Sequence, residues 1–281
     1  MRKTNAVYEP DNSLKMGYLS LCKDIVNELI GNRWLIEQFF RKDFSASYKQ
    51  SFIGVFWALI VPIISVGTFV LLRNSGLFFT GSLHIPYPLY AVLGMASWQL
   101  FSSGLTAGSN SLIKAGPMIA KINFSKKSLV LASSLQGIIP FVIQLTLGII
   151  MCFIYGIVPK WQALFTPILI LPLMLLTYGL SLLLALLNGI IRDIANALNI
   201  LLTFLLFMTP VLYVIPGSGM LSRIANLNPL SHLISVPRQF IIEGSTQQWV
   251  GFIFSSMVSF IVFLICLLAF HLTETRVAER I

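Results

Sequence analysis

Apolar residues gather in six runs along this chain, each bounded by charge, glycine or proline. They lie near 52–72, 88–108, 129–156, 163–188, 196–215 and 249–271. A helix needs about 20 mostly apolar residues to cross a hydrocarbon core of about 30 Å. Each run therefore predicts a membrane span. The third and fourth are the plainest: no charged residue stands between Lys127 and Lys160, nor between Lys160 and Arg192. Gly94, Gly104, Gly108 and several serines dilute the second, as close packing of membrane helices allows. The predicted fold class is an all-α integral membrane protein with six transmembrane helices per protomer. A cytoplasmic N-terminal segment (1–50) precedes a transmembrane domain (51–281).

Two segments fit neither span nor plain loop. In residues 14–40, Leu21, Ile25, Leu29, Ile36, Phe39 and Phe40 recur at three- and four-residue steps, with Lys23, Asp24, Asn27, Glu28 and Arg33 between them. With Trp34, this predicts an amphipathic helix lying in the membrane interface; packing on a soluble partner gives the same pattern. Gly31 is placed to kink or split it. Between spans five and six, residues 216–248 are apolar but broken by Arg223, Asn226, Asn228, Pro229 and Pro237. Two short re-entrant or surface-lying helices fit best. Such backbone is tolerated at membrane depth only inside protein or beside water.

Charge sets the orientation. Of the 19 basic residues, only Arg73, Lys160, Arg223 and Arg238 fall on one side of the six spans. The positive-inside rule then puts both termini in the cytoplasm. The net charge of +9 is thus explained by topology rather than by nucleic acid. At 56% hydrophobic and 10% charged residues, the chain is no ordinary soluble domain. Residues 1–50 are polar, so no signal peptide is expected near Met1. Cys22, Cys152 and Cys266 lie far apart and form no metal or redox spacing.

The six spans hold essentially no ionisable residue, which argues against a proton- or ion-coupled carrier. No phosphate-binding loop and no catalytic or metal cluster is present, so neither catalysis nor an energy supply is expected on this chain. Aromatics are abundant instead: Phe52, Phe56, Trp57 and Phe69 in the first span, and Tyr178, Phe204, Phe207 and Tyr213 in the fourth, the fifth and the fifth's end. Rings stack on the C–H faces of sugars, and a path lined with them lets a polymer slide. Lipid contact and packing are equally ordinary uses of such rings. Arg41, Lys42, Tyr48 and Lys49 form a basic collar at the start of span one. It serves as a topology signal, or holds a phosphate headgroup at an entrance. The connection 108–128 carries Lys114, Lys121, Phe124, Lys126 and Lys127, and suits either a short cytoplasmic helix that docks on another protein or a loop skimming the lipid headgroups. The next cytoplasmic connection carries Arg192 and Asp193.

Several stretches together resemble one family. FFRKDFSASYKQSFIGVFWALIVPII (39–64) is similar to its opening motif, and YPLYAVLGMASWQLFSSGLTAGSNSLI (87–113) with INFSKK (122–127) to its second span and coupling segment. NGIIRDIANALNILLTFLLFMTPVLY (188–213) with LNPLSHLI (227–234) is similar to its fifth span and re-entrant tail, and HLTETRVAERI (271–281) to its close. The chain resembles type-2 ABC exporter permeases of the polysaccharide class, which export O-antigen, capsule or teichoic acid. The resemblance implies a homodimer in a bacterial inner membrane, moving a lipid-linked polysaccharide. It implies two copies of a separate ATPase that carry ATP and magnesium, with no cofactor on this chain. It implies that the Lys114–Lys127 connection and Arg192–Asp193 meet the ATPases. It implies a lateral entrance at the interfacial helix and aromatic belts in the channel. Where the family often has Phe-Pro-Arg-Glu, this chain has Phe124-Ser125-Lys126-Lys127, so a charge pairing there does not carry over. A permease for drugs or small lipids and a membrane-bound glycosyl- or acyl-transferase are the alternatives.

Overall fold

The computed structural model describes residues 27–48, 56–76, 83, 85–119, 121, 124–191, 193–214 and 219–278, all in helices and connecting turns, without a strand among them. Lys49, Phe52 and Arg192 lie outside the described residues, as do Leu21 and Ile25 of the predicted amphipathic helix. The main helices are α1 (Arg33–Tyr48), α2 (Trp57–Asn74), α3 (Tyr87–Ser109), α4 (Lys126–Ser134), α5 (Ile138–Ile154), α6 (Leu171–Ile190), α7 (Ile194–Met208), α8 (Met220–Leu227), α9 (Pro229–Ile242) and α10 (Trp249–Ala278).

Among the described residues, three continuous stretches are long and apolar enough to cross a membrane: Lys126–Ile154, Trp161–Ile190 and Trp249–Thr273. The first joins α4 to α5 through a single 3-10 turn at Leu135–Gly137. These are the predicted third, fourth and sixth spans. The first, second and fifth fall on α2, α3 and α7. The 23 residues of α3 extend about 34 Å at 1.5 Å per residue, and what sets it apart is polar content rather than length. The end of α7 differs from the expected 215. The helix stops at Met208, because Thr209 precedes Pro210 and takes the extended conformation (φ −105°, ψ 135°) that such a position favours.

Start signals are local and legible. The Ser125 side chain accepts a hydrogen bond from Ser128 N and caps α4. The Asn228 side chain does the same for α9 through Leu230 N, with Pro229 at the first helical position.

α3 and α6 are the hub. α3 lies against α4, α5 and α6; α6 makes its broadest contact with α10, and α9 covers the start of α10. Glycine permits the closest approaches. A methyl placed on Gly104 would sit 2.7 Å from the Ser134 carbonyl, and one on Gly179 would sit 2.7 Å from Phe263 Cα. Backbones meet there, as small residues allow in membrane bundles.

The N-terminal helices dock on α4. Residues 27–31 are helical, with a turn at Asn32 before α1 begins. Backbone bonds from Asn32 to Glu28 and from Ile36 to Asn32 carry the rod across that turn. Glu28 pairs with Lys127 Nζ at 3.1 Å, Asp43 accepts from Ser133 Oγ at 3.0 Å, and the Phe40 carbonyl accepts from Gln136 at 2.8 Å. Phe39 lies against Phe124, ring centres 5.3 Å apart. Leu29, Leu35 and Ile36 join the same apolar cluster as Met118 and Ile119.

Gly179→Ala is expected to lower stability by about 1–3 kcal/mol through overpacking at Phe263. Gly67→Ala, where an added methyl meets nothing within 4 Å, serves as the control and lowers nothing. Thermal unfolding in detergent reads the difference; equal midpoints contradict the close α6–α10 contact.

Candidate functional site: a polar groove along α3 and α7

α3 has two opposite faces. Gly94, Ser97, Phe101, Gly104 and Gly108 share one side and are buried against protein. Gln99, Ser102, Ser103, Thr106 and Asn110 share the other. That second side forms one wall of an open groove of about 570 Å³. Asn199, Leu202, Thr203 and Leu206 of α7 form the facing wall, with Lys114 at one end. Several of its polar groups satisfy one another: Ser103 donates to Gln99 Oε1 at 3.0 Å, Thr203 to its own helix at Asn199 O, and Asn110 to Thr106 O. The hydroxyl oxygens keep lone pairs open to the groove. Polar groups without partners are costly in hydrocarbon, so such a wall fits water, another protein surface or a polar cargo.

Phe204 and Phe207 share another side of α7, turned away from the groove-lining Asn199, Leu202, Thr203 and Leu206, and are 58% and 49% exposed.

The C-terminal end of α7 is fastened by Arg238, which comes from α9 and is only 5% exposed. Its guanidinium stacks 3.7 Å from the centre of the Tyr90 ring. It donates to Val211 O at 3.0 Å, to Tyr90 Oη at 2.8 Å and to Pro210 O at 3.4 Å. Tyr90 in turn donates to Tyr213 O at 2.9 Å, and Tyr213 donates to Phe207 O at 3.0 Å. A helix end leaves carbonyls without intrahelical partners; here one cation and two phenols serve the end of α7 and the turn after it. Gly94 makes room, since a methyl there would meet the Arg238 guanidinium at 2.8 Å and Val211 O closer still.

No protein-family model matches the chain. Among curated proteins, it is 28% identical over 215 residues to the O-antigen export system permease protein RfbA of Myxococcus xanthus, covering 75% of this chain and 81% of that one. Two proteins of the same name from Klebsiella pneumoniae are 25% identical over 245 residues (85% of this chain, 91% of theirs) and 24% over 210 residues (73% and 78%). The chain is related to O-antigen export permeases. Similarity of this extent runs through most of the helices described above.

Of the residues singled out in the sequence, the structure brings one to the groove and places others elsewhere. Lys114 lines its end; Phe204 and Phe207 are exposed on α7 but do not line the groove. Phe56 and Trp57 are exposed on α2, but no described α2 residue lines the groove. Phe69 is half-buried against the main core. Tyr178 is buried, its ring 5.7 Å from Phe263 and its hydroxyl donating to Lys127 O, so it joins α6 to α10 and α4 rather than facing an opening. Tyr213 is buried in the Arg238 network. Arg41 is exposed and ion-paired with Glu37 one turn back; Lys42 is exposed; Tyr48 is the last residue of α1. Lys121 and Asp193 are exposed and Lys126 half-buried. Phe124 packs on Phe39 of α1, and Lys127, 1% exposed, pairs with Glu28 in the helical segment just before α1.

Two features went unread in the sequence. The polar face of α3 is visible as Gln99, Ser102, Ser103, Thr106 and Asn110 at three- and four-residue steps, a periodicity that reading the serines only as dilution hides. Arg238 stood among outside charges; its flanks, Ile234 to Pro237 and Phe240 to Ile242, are apolar enough to signal burial.

Replacing Arg238 by Met leaves two carbonyls and a phenol without their donor, and a buried polar group left unsatisfied costs about 1–3 kcal/mol. Arg238→Met is expected to speed hydrogen exchange across 209–213 while exchange in the middle of α10 stays unchanged. Unaltered exchange at 209–213 contradicts the fastening role.

Proposed function

We propose that this chain is the membrane permease subunit of an O-antigen export system, and that the polysaccharide passes along the α3–α7 groove. The observation that carries the reading is a hydroxyl- and amide-lined groove set in an otherwise apolar bundle related to export permeases. Hydroxyls and amides hydrogen-bond sugar hydroxyls, while Phe204 and Phe207, exposed on another face of α7, offer stacking faces beyond the groove lining. Many weak and similar contacts suit a polymer that must keep moving. An apolar drug or small lipid gains little from Gln99, Ser103, Thr106 and Asn110, and the named relatives are permeases, not transferases.

The groove is open in one copy, and its polar wall is poorly suited to lipid. A second copy across it makes the homodimer and closes the path. α2 to α7 and α10 supply six spans, with α8 and α9 re-entrant at the outer face. Both termini then lie in the cytoplasm of a bacterial inner membrane, as the basic residues require. ATP and magnesium act on two copies of a separate ATPase. Lys114, Lys121 and Lys126, with Arg192 and Asp193, form the surface that meets it. Phe124 and Lys127 do a different job: they tie that surface to α1, so a push there moves the interfacial helix. α1, with Arg41, Lys42, Tyr48 and Lys49, flanks the entrance for the lipid-linked glycan and its phosphate headgroup. Phe52, Phe56 and Trp57 follow at the start of the first span.

The double change Phe204→Ala and Phe207→Ala is expected to slow export of polysaccharide to the cell surface about tenfold, from two lost stacking contacts. Phe153→Ala, an exposed ring on α5 away from the groove, leaves export unchanged. Export at the parental rate in the double variant, with normal amounts of protein in the membrane, contradicts the proposed path.

A further inference from the structure

A second cavity, of about 320 Å³, lies at the far end of α3 from Lys114. Tyr90 at its edge is 20 residues from Asn110, about 30 Å along the helix. Its walls come from the connection before α3, the turn after α7, and α9 with the connection after it. It is therefore at the outer end of the bundle, beyond the groove.

The chemistry of the wall is mixed in a specific way. Arg238 supplies a buried guanidinium, and its three described acceptors leave part of its five N–H donors unused. Glu243 supplies a carboxylate to the same lining, with no direct ion pair to Arg238 among the described residues. Gln248 lines the same cavity, and its buried Oε1 has no hydrogen-bond partner. Ser235 adds a hydroxyl. Val214 and Ile242 add apolar surface.

A carboxylate beside a guanidinium disfavours a simple anion and a simple cation alike. What satisfies both, and the orphaned amide oxygen, is a neutral molecule whose groups donate and accept at close spacing. Sugar hydroxyls do that, and the C–H face of the ring fits Val214 and Ile242. The volume is at the low end for small-molecule sites, which suits a sugar unit rather than an acyl chain.

We propose that this cavity is a carbohydrate subsite that holds one unit of the glycan at the outer end of its path. Glu243 and Gln248 accept from the sugar hydroxyls, and Arg238 donates. The inference rests on the export reading above, and its test separates the two. A photoreactive benzophenone amino acid is introduced at Thr203, in the groove, or at Ile242, in the cavity, in cells that contain the complete exporter and make O-antigen. After illumination, sugar-bearing adducts are scored on the purified chain. Both positions are expected to give them. Glu243→Ala with Gln248→Ala is expected to lower the yield at Ile242 about tenfold, the effect of lost hydrogen bonds to a charged and a buried group, and to leave the yield at Thr203 unchanged. Adducts at Thr203 without any at Ile242 overturn the subsite and leave the export reading standing. Lipid without sugar at Ile242 overturns it too. No sugar at either position overturns both.

Discussion

The contact at Gly104 governs much of this structure. The α3 backbone there lies so close to the Ser134 carbonyl that a single methyl has no room. Backbone contact of that kind fixes rotation as well as distance. With its glycine side locked against α4 and α6, α3 turns Gln99, Ser103, Thr106 and Asn110 the other way, toward α7. A helix that polar is unfavourable in lipid, and becomes tolerable because the groove gives its polar side somewhere to face. Burying one face thus creates the chemistry of the other.

The second constraint acts at the end of α7. Pro210 stops the helix early, which leaves carbonyls that need donors inside the protein. Arg238 supplies them, braced by Tyr90 on one side and sharing the second phenol, Tyr213, through it. The cation fixes α9 to α7 and α3 together. The rings of Phe204 and Phe207 are therefore presented by a helix held at its C-terminal end, not by one free to swing.

Much of this was legible in the sequence, for physical reasons that differ by element. Long charge-free runs have one outcome, so the stretches ending α5, α6 and α10 fall close to their expected bounds. Apolar periodicity through Ile36 and Phe39 anticipates a helix at α1, but which surface it meets depends on a pairing 99 residues away, Glu28 with Lys127. Lys127 read as one lysine among four on a docking segment; its burial comes only with the fold. Tyr178 and Phe204 look alike in sequence, aromatic residues in apolar runs. One packs between helices and the other is exposed, because side-chain direction follows helix rotation, and rotation follows contacts such as Gly179 with Phe263. The early stop of α7 was available in Thr209-Pro210, whose local rule outweighs the hydrophobicity that continues through Tyr213.

The central claim is that the polar face of α3 borders water and cargo rather than lipid. A spin label moved singly through residues 98–110 of the assembled exporter in a bilayer tests it most directly. The account predicts that access for a water-soluble paramagnetic reagent peaks at 99, 103, 106 and 110, with access for oxygen lowest at those same positions. Oxygen access that peaks at those four positions would place them in the hydrocarbon and contradict the account.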